Sequence, residues 1–229
     1  MAIKQAPVLE LRGIMKEYEG ETILAGCDLS LYPGDFTVVV GASGCGKSTL
    51  LSIAGLLMTP SAGTVMVEGG DASSLPDGAA STERARAFGF VFQHTQLIGS
   101  LRAVDNVLVP ACFGAWDMRA ATERAVTLIK RFGLERRAQH FPHQLSVGQK
   151  RRVALARALV LDPLCVIADE PTNDLDVATA DEVAATLEEF AQEGHAVLCA
   201  THDMALARRA KRALRLEDGT LSEIDPASL

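Results

Sequence analysis

The sequence predicts an α/β fold in which helices pack on a parallel sheet, with antiparallel strands before it and a helical insertion within it. Three short apolar runs rich in β-branched residues, FTVVVGASG, LCVIADE and AVLCATHD, each end in polar or glycine residues. Continuous runs of this length are typical of buried strands in a parallel sheet. Helical patterns lie between them, and this alternation places functional residues at the carboxyl ends of the strands.

One of the helical patterns is VATADEVAATLEEFAQEG. Val183, Leu187, Phe190 and Ala191 fall on one face of the predicted helix, and Gly194 is suited to end it. The pattern therefore predicts an amphipathic helix that stops near residue 194.

Three other stretches complete the predicted elements. The first forty residues contain alternating segments punctuated by glycines and by Pro33-Gly34, which predicts a small antiparallel sheet. The polar stretch from Gly69 to Thr82 predicts an exposed loop. Near the end of the sequence, RALRLEDGTLSEID predicts a strand, a turn and a second strand.

The domain organisation follows from where the strand signal is lost. From about Gln93 to Leu159 helical segments such as MRAATERAVTLIKRFG replace the strand patterns. We therefore expect one domain, 1–229, whose core comprises residues 1–93 and 160–229 and includes the antiparallel sheet. Residues 94–159 are expected to form the helical insertion.

Composition limits the possible functions. The 229 residues are 48% hydrophobic and 22% charged, and the net charge of −7 argues against extended nucleic-acid binding, which needs a basic face. No run approaches the roughly 18 apolar residues that span a bilayer. The start, MAIKQAPVLE, lacks the features of a signal peptide, so we expect a cytoplasmic protein. The five cysteines carry no CxxC pairing and are expected to be reduced thiols in the core.

A phosphate-binding loop is predicted at GASGCGKST, Gly41 to Thr49, which follows the strand FTVVV and opens a helical pattern. Its glycines let the backbone wrap around phosphates, Lys47 supplies a positive charge to the β- and γ-phosphates, and the Ser48 hydroxyl is suited to coordinate Mg²⁺. The sequence therefore predicts a bound nucleoside triphosphate.

Two adjacent carboxylates, Asp169 and Glu170, end the strand LCVIADE. Carboxylates in an apolar setting repel each other unless a cation is near. With a phosphate loop upstream, we expect Asp169 to hold Mg²⁺ and Glu170 to act as the general base on the attacking water. The alternative is a solvated strand end without function.

Three further residues are candidates because of where they fall. Gln93 follows the short strand GFVF and is placed to reach Mg²⁺ or water, and His202 follows AVLCAT and is placed to contact the γ-phosphate. Tyr18, in the antiparallel segment, is suited to stack on adenine. The alternatives are that Gln93 is only polar surface, that His202 is structural, and that Tyr18 is an ordinary half-buried residue of the sheet.

Two sequence features remain outside this scheme. His140 and His143 have no cysteine or carboxylate at metal-ligand spacing, so we interpret them as turn residues. LSVGQ, Leu145 to Gln149, begins a basic helical pattern whose backbone N–H groups suit an anion. Since the phosphate loop already has its own lysine, LSVGQ predicts a second anion-binding position.

Taken in order, GASGCGKST, VFQ, LSVGQ, LCVIADE, NDLD and THD resemble the complete motif series of an ATP-binding-cassette (ABC) ATPase. The resemblance covers nearly the whole chain and implies a RecA-like P-loop NTPase core with an antiparallel β subdomain and an inserted α-helical subdomain. It also implies ATP and Mg²⁺ as ligands.

In that family two cassettes pair head to tail, and each ATP lies between the phosphate loop of one chain and the signature motif of the other. The resemblance therefore implies a second copy of this chain as partner. The residues that it places on the nucleotide of the partner are Ser146, Val147, Gly148, Gln149 and, in the segment like the D-loop, Asp176.

The signature departs from the common LSGGQ because Val147 replaces the first glycine. Valine still offers its backbone N–H but resists a positive φ. We expect Ser146 and Gly148 to make the main contacts and activity to persist.

The stretch GFVFQHTQLIGSLRAVDNVLVP is most similar to the cassettes of macrolide exporters, lipoprotein-release complexes and the cell-division cassette. The resemblance implies a separate membrane permease gripped near His94 to Leu101, and a cassette held at the inner face of the cell membrane. The alternative is an ATP clamp that regulates a cell-wall process through a membrane adaptor. A small-molecule kinase would leave LSVGQ unexplained.

Overall fold

The computed structural model describes residues 6–229, which form two sheets with helices around them. The strands are β1 (Leu9–Tyr18), β2 (Glu21–Leu31), β3 (Phe36–Val40), β4 (Ala62–Val67), β5 (Gly70–Asp71), β6 (Phe88–Val91), β7 (Cys165–Asp169), β8 (Ala196–Ala200), β9 (Arg212–Glu217) and β10 (Thr220–Ile224). The α-helices are α1 (Lys47–Ala54), α2 (Asp77–Ala87), α3 (Ala103–Leu108), α4 (Met118–Arg131), α5 (Val147–Leu159), α6 (Val177–Gln192) and α7 (Met204–Ala207). Short 3-10 helices cover Val109–Cys112, Glu135–Arg137, Pro142–Gln144 and Pro226–Ser228.

The six-stranded sheet has the order β10-β9-β3-β8-β7-β6, and its strands are parallel except for β10. The three apolar runs of the sequence are β3, β7 and β8, as predicted. Because β3, β8, β7 and β6 are neighbours and parallel, the segments that follow them all leave the same edge of the sheet.

Alternation along the strands divides the core into two layers. Val38 and Val40 of β3 face one apolar cluster together with residues of α5 and α6, whereas Val39 faces a second cluster with α1 and the antiparallel sheet. Strands β3, β7 and β8 are therefore buried on both faces, which explains why they are almost entirely apolar.

The antiparallel sheet has the order β2-β1-β4-β5. The first forty residues supply β1 and β2, as predicted, with Leu9 opposite Leu31. Strand β4 was not predicted from the sequence; it follows α1 and pairs with the other edge of β1, with Leu9 opposite Val67. Val65 and Val67 are buried there, and they extend the apolar face of this sheet over the parallel one.

The prediction of a loop from Gly69 to Thr82 is wrong at both ends of the stretch. Gly70 and Asp71 form β5, and α2 begins at Asp77, after Pro76 in an extended conformation. Ala87 is the one buried residue of α2. The helix therefore has no apolar stripe that the sequence could have displayed.

Helices α3, α4 and α5 occupy the region in which the strand signal fades, and α5 packs on β6. In α6, Val183, Leu187, Phe190 and Ala191 are buried as predicted. Gly194 follows that helix with a φ of 103°, which a residue without a Cβ adopts at little cost.

The prediction for the cysteines holds for three of five. Cys27, Cys165 and Cys199 are buried free thiols, and burial raises the pKa of Cys27 to about 11 and that of Cys165 to about 12. The prediction is wrong for Cys112, which is exposed, and in part for Cys45, which is half-buried.

None of the helices described between residues 6 and 229 has the length and apolar composition that crossing a membrane requires. The interpretation of MAIKQAPVLE rests largely on residues 1–5, which lie outside the described residues.

Candidate nucleotide-binding site

The phosphate loop connects β3 to α1, and two of its glycines have clear steric reasons. Gly46 precedes α1 with a φ of 104°, and a Cβ there would lie 2.9 Å from Cγ2 of Ile23. A Cβ on Gly41 would lie 2.6 Å from the carbonyl oxygen of Leu216. The loop therefore needs glycine at both positions to pass this close to β2 and β9.

The start of α1 directs polar groups into the loop. No side chain caps this helix, so the N–H groups of its first turn remain available to an anion. Lys47, only 8% exposed, donates from Nζ to the carbonyl oxygens of Gly41 (2.9 Å) and Ala42 (3.0 Å). These two bonds hold the ammonium group across the mouth of the loop.

A cleft of about 640 Å³ opens at the phosphate loop, a size that suits a nucleotide. Its lining residues come from β1, β2, the phosphate loop and the segments after β6, β7 and β8. They are Tyr18, Ile23, Ser43, Gly44, Gly46, Lys47, Ser48, Thr49, Gln93, Glu170 and His202. The sequence analysis missed Ile23, because nothing in the pattern of β2 indicates that it packs beside the loop.

Gly41 and Cys45, which were also predicted to bind the nucleotide, do not line the cleft. The side chain of Cys45 packs against the apolar cluster under the antiparallel sheet. Its backbone N–H donates to the carbonyl oxygen of Ala42 at 3.3 Å. Gly41 and Cys45 therefore affect the conformation of the loop and do not face the cleft.

Asp169 lies at the end of β7 with one carboxylate oxygen, Oδ1, buried and without a hydrogen-bond partner. Burial raises the pKa of this carboxyl group, the Ser48 hydroxyl lowers it, and the charge of Glu170 raises it further. A small cavity between α1 and β7 is lined by both Ser48 and Asp169. An unsatisfied carboxylate oxygen beside a hydroxyl group is the kind of donor set that a hard divalent cation uses.

No group of three or more His, Cys, Asp or Glu side chains that could hold a metal ion occurs within residues 6–229. Mg²⁺ is ordinarily bound through one or two protein oxygens together with substrate phosphates. Asp169, Ser48 and the nearby Gln93 amide fit that mode.

Glu170 and His202 form a pair across the ends of β7 and β8. His202 Nδ1 lies 2.8 Å from Oε2 of Glu170, and the His202 backbone N–H donates to the same oxygen at 3.2 Å. Glu170 has a φ of 45°, a left-handed conformation that costs a non-glycine residue about 1–3 kcal/mol. The turn directs a largely buried carboxylate, with 14% of its side chain exposed, to the wall of the cleft.

Tyr18, at the end of β1, forms another wall of the cleft and is 44% exposed. Its hydroxyl donates to Sδ of Met58 at 2.9 Å, and the ammonium group of Lys16 lies 5.0 Å from the ring centroid. The ring is therefore held at its edge, and its exposure leaves aromatic surface open to a flat ligand.

The LSVGQ segment lies outside this cleft. Ser146 precedes α5, and its Oγ accepts from the Gln149 N–H (3.2 Å) while Gln149 Oε1 accepts from the Ser146 N–H (3.1 Å). Val147 is the first residue of α5, has no positive φ, and is 61% exposed. Valine in place of glycine therefore causes no backbone strain here.

Asp176 also lies outside the cleft, at the start of α6, where it accepts from the N–H and the hydroxyl of Thr179. These bonds lower the pKa of its carboxyl group. A Cβ on Gly148 would lie 3.5 Å from Cγ2 of Thr179, so the start of α6 is next to the start of α5. The structure thus brings the predicted residues into two groups, the cleft and the neighbouring starts of α5 and α6.

Of the two histidines ahead of α5, which were predicted to be turn residues, His140 closes a turn by donating from its backbone N–H to the carbonyl oxygen of Arg137, whereas His143 lies in the 3-10 helix Pro142–Gln144. The His140 ring lies 3.1 Å from a guanidinium nitrogen of Arg137, and the His143 ring stacks on Phe141.

Comparison with known proteins identifies the family. The family model described as "ABC transporter" matches residues 24–173. The lipoprotein-releasing system ATP-binding protein LolD of Hyphomonas neptunium is 44% identical over 220 residues, which is 94% of this chain and 96% of that protein. The pyoverdine export ATP-binding/permease protein PvdT of Pseudomonas aeruginosa is 43% identical over 96% of this chain, but this chain spans only 34% of its length. The same 34% applies to the macrolide export protein MacB 1/2 of Paracoccus denitrificans, which is 42% identical.

Solved structures agree with this similarity. The ATP-binding cassette MJ0796, solved as a dimer bound to ADP and Pi, has a TM-score of 0.86 and 36% identity, covering 95% of this chain and 98% of its own. The cassette cbiO1 of Clostridium perfringens has the same TM-score at 27% identity, covering 98% of this chain and 90% of its own. The P-loop NTPase fold predicted from the motifs is confirmed, and the chain belongs to the ABC transporter family as an ATP-binding cassette.

Proposed function

We propose that the chain hydrolyses Mg-ATP as one half of a head-to-tail dimer and that this cycle drives a membrane permease. The observation that carries the proposal is the arrangement at one edge of the parallel sheet. There a phosphate loop and a glutamate paired with a histidine line one cleft, and a carboxylate with an unsatisfied buried oxygen lines a small cavity that also borders Ser48 of the loop.

In this proposal the phosphates bind in the loop and the base stacks on Tyr18. The loop residues that face the phosphates are Ser43, Gly44, Gly46, Lys47, Ser48 and Thr49, most of which act through backbone N–H groups, while Gly41 and Cys45 keep the loop in its conformation. Lys47 exchanges its bonds to the loop carbonyls for bonds to the β- and γ-phosphates. Tyr18 is suited to stack because its ring is exposed on the cleft wall.

Ser48, Asp169 and Gln93 would hold the magnesium ion. Bound Mg²⁺ neutralises charge on the β- and γ-phosphates, which assists phosphoryl transfer. The role of Asp169 is supported by its buried oxygen, which lacks any other partner among the described residues. Gln93 is assigned from its place on the cleft wall, after the strand next to β7.

Glu170 is assigned as the general base. It removes a proton from a water molecule whose oxygen forms a bond to the γ-phosphorus, while the bond from that phosphorus to the leaving ADP oxygen breaks. His202 orients Glu170, because its Nδ1 faces the carboxylate at 2.8 Å and must carry the proton between them when the imidazole is neutral. Contact between its Nε2 and an oxygen of the γ-phosphate then requires the imidazolium form, in which both ring nitrogens donate.

The second copy is proposed because the signature residues do not reach the cleft of their own chain. Ser146, Val147, Gly148, Gln149 and Asp176 lie at the starts of α5 and α6. They would complete the nucleotide site of a partner chain placed in the opposite orientation. The relative MJ0796 has been solved as a dimer, which supports this assembly.

A groove beside Gln93 is the proposed docking position of the permease. It measures about 290 Å³ and runs between α2, β6 and the residues before α4. Its apolar lining residues include Leu57, Phe90, Phe92, Val109, Phe113 and Leu161. Gln96 and Arg157 also line it, so the groove borders the segment His94 to Leu101 that the family resemblance assigns to permease contact.

The transport role is favoured by the names of the similar proteins, which include a lipoprotein-releasing system and pyoverdine and macrolide export proteins. We place the chain at the inner face of the cell membrane, held there by its permease. Isolation of the native complex and mass spectrometry of the membrane partner would test this, and a cell-wall hydrolase adaptor in place of a permease would contradict it.

Complementation tests the shared site. Lys47→Ala and Ser146→Arg chains should each be inactive alone. In a dimer of Lys47→Ala chains both sites lack a working phosphate loop, and in a dimer of Ser146→Arg chains both sites lack a working signature segment. Mixed in equal amounts they should regain roughly a quarter of the wild-type rate, since half of the dimers are mixed and each has one intact site.

The matched control mixes Lys47→Ala with Glu170→Gln, two changes in the same half of the site. Those mixtures should stay inactive, because no pairing rebuilds an intact site. Recovery in both mixtures, or a wild-type rate per chain that does not fall on dilution, would contradict the head-to-tail dimer.

A further inference from the structure

Arg151 is a buried charge whose role the proposed mechanism leaves unassigned. It lies one turn into α5 and is 3% exposed. Its guanidinium group donates from one terminal nitrogen to the carbonyl oxygen of Phe92 at 2.6 Å and from the other to that of Gln93 at 2.8 Å. A planar fork bonded to two successive carbonyls fixes the orientation of the peptide group between them.

The surroundings of Arg151 are costly for a charge. Burial lowers the pKa of the guanidinium group, although the charge of Asp174 raises it, and Nε is buried without a hydrogen-bond partner. Because burial removes the guanidinium group from water, its charge depends on the hydrogen bonds that it makes within the protein. Those hydrogen bonds go to the backbone carbonyls of Phe92 and Gln93.

Arg151 also stands where three functional segments meet. One cavity is lined by Val147 of the signature, by Arg151, by Gln93 and by Asp174, which lies two residues before Asp176. The signature helix, the segment after β6 and the segment after β7 therefore border one cavity that this side chain also lines.

We infer that Arg151 is a positioning residue that links the signature segment to Gln93. When the start of α5 engages the nucleotide of the partner chain, the rigid helix and the two hydrogen bonds of Arg151 set the position of Gln93 at the nucleotide of its own chain. Each site of the dimer thereby senses whether the other is closed. The inference rests on the proposed function, and it adds a link that neither the motifs nor the cleft residues supply.

The change Arg151→Lys tests the link, because it keeps the positive charge but replaces the fork with a single point of donation. We expect kcat to fall about 10-fold, a loss typical of misplaced catalytic groups, with the KM for ATP within about twofold of wild type. The Mg²⁺ concentration that gives half the maximal rate should rise, since Gln93 is a proposed magnesium ligand. Arg151→Gln, which is neutral but still donates, should show the same pattern.

The matched control is Arg152→Lys. Arg152 is the next residue of α5, and its Nε is also buried without a partner, but its guanidinium donates to the carbonyl of Phe132 instead. We expect kcat and the Mg²⁺ requirement to stay within about twofold of wild type, because this change leaves the Gln93 segment untouched.

A double-mutant cycle shows whether Arg151 acts through Gln93. In a Gln93→Ala chain, adding Arg151→Lys should lower the single-turnover rate less than about twofold, because the side chain that Arg151 positions is already absent. A further loss of about 10-fold in that background would overturn the inference. The proposed function is judged separately, because it fails only if the wild-type chain does not hydrolyse Mg-ATP.

Discussion

The two helices that begin at anion-binding motifs, α1 and α5, start in different ways. Before α1 the backbone passes through a left-handed glycine, and no side chain caps the helix. Before α5 the Ser146 and Gln149 side chains satisfy two backbone N–H groups between them, and the backbone is unstrained. The first start is thus open toward a cleft of its own chain, and the second is capped and exposed on the surface.

This difference indicates what each segment contributes. At α5 the capping pair occupies the Gln149 N–H, which leaves the N–H groups of Val147 and Gly148 and the hydroxyl hydrogen of Ser146 for a ligand. Such a surface is stable without nucleotide. The cleft and the cavity beside it instead carry unfavourable features, namely the left-handed backbone of Glu170 and the partly buried carboxylate of Asp169, whose charge a bound cation would offset. Substitutions that separate these properties test the comparison.

The largest effect is expected in the cleft, for Glu170→Gln. The amide still accepts from the His202 backbone N–H but cannot take a proton, so turnover should fall about 10²–10⁴-fold while ATP binding persists. Because ATP then remains uncleaved, the chain should also accumulate as a dimer with Mg-ATP. Steady-state hydrolysis and size-exclusion chromatography measure the two outcomes.

The matched control is the exposed Glu217, whose change to Gln removes a carboxylate on β9 and should leave both measurements unchanged. Turnover by purified Glu170→Gln within tenfold of wild type would remove Glu170 from its assigned role.

Asp169→Asn is expected to give the next largest effect, with opposite signs for activity and stability. The magnesium ligand is lost, so turnover should fall about 10²-fold or more. In nucleotide-free protein, however, the change removes a partly buried negative charge beside Glu170. The melting temperature Tm should therefore rise by about 2–4 °C, the shift that roughly 1 kcal/mol causes in a chain of this length.

The pH dependence of Tm tests whether burial of the Asp169 charge causes the gain in stability of Asp169→Asn. Burial raises the pKa of Asp169, so the native protein holds this proton more tightly than the unfolded chain does. The ionised carboxylate then costs stability at neutral pH, and the cost decreases as pH falls through the raised pKa. The Tm gain of Asp169→Asn should be greatest near pH 7 and vanish below the ordinary pKa of 3.8. A gain that grows on acidification would contradict burial as the cause.

The cleft could largely be predicted from sequence because its residues follow strands with clear signals. Glu170 and His202 lie within two residues of the ends of β7 and β8, and Lys47 ends the glycine-rich loop that follows β3; parallel neighbouring strands bring such positions together. The spacing of each motif from its strand was enough to place them.

Other features depend on contacts between distant segments and left no local signal. The pairing of β4 with β1 is set by the apolar face that Val65 and Val67 complete. Helix α2 has no apolar stripe, so its polar sequence resembled a loop. Arg151 was one basic residue in KRRVALARALV, and its burial against Phe92 and Gln93 became evident only in the structure.

A smaller effect is expected at the surface start of α5, for Ser146→Ala. The change removes the cap and one donor to the partner's nucleotide, so turnover should fall about 10-fold and stability by about 1 kcal/mol. The affinity of the isolated chain for ATP should not change, because the cleft is intact. Tm, the hydrolysis rate and nucleotide binding at low protein concentration measure these outcomes.

Asp117→Ala separates the two consequences of that change. Asp117 caps α4 by accepting from the N–H groups of Arg119 and Ala120, away from the cleft. The Asp117→Ala change should lower stability by about 1 kcal/mol, as Ser146→Ala does, without lowering turnover. Equal losses of turnover in both variants would mean that Ser146 contributes only through folding.

The smallest effect is expected for Val147→Gly, which restores the common signature. Because Val147 begins α5 without a positive φ, glycine gains nothing from its conformational freedom and lowers helix stability by up to about 1 kcal/mol. Turnover should stay within about twofold of wild type, since the backbone N–H is the same in both residues. A gain of tenfold or more in steady-state hydrolysis would show instead that the exposed valine side chain hinders the approach of the partner chain.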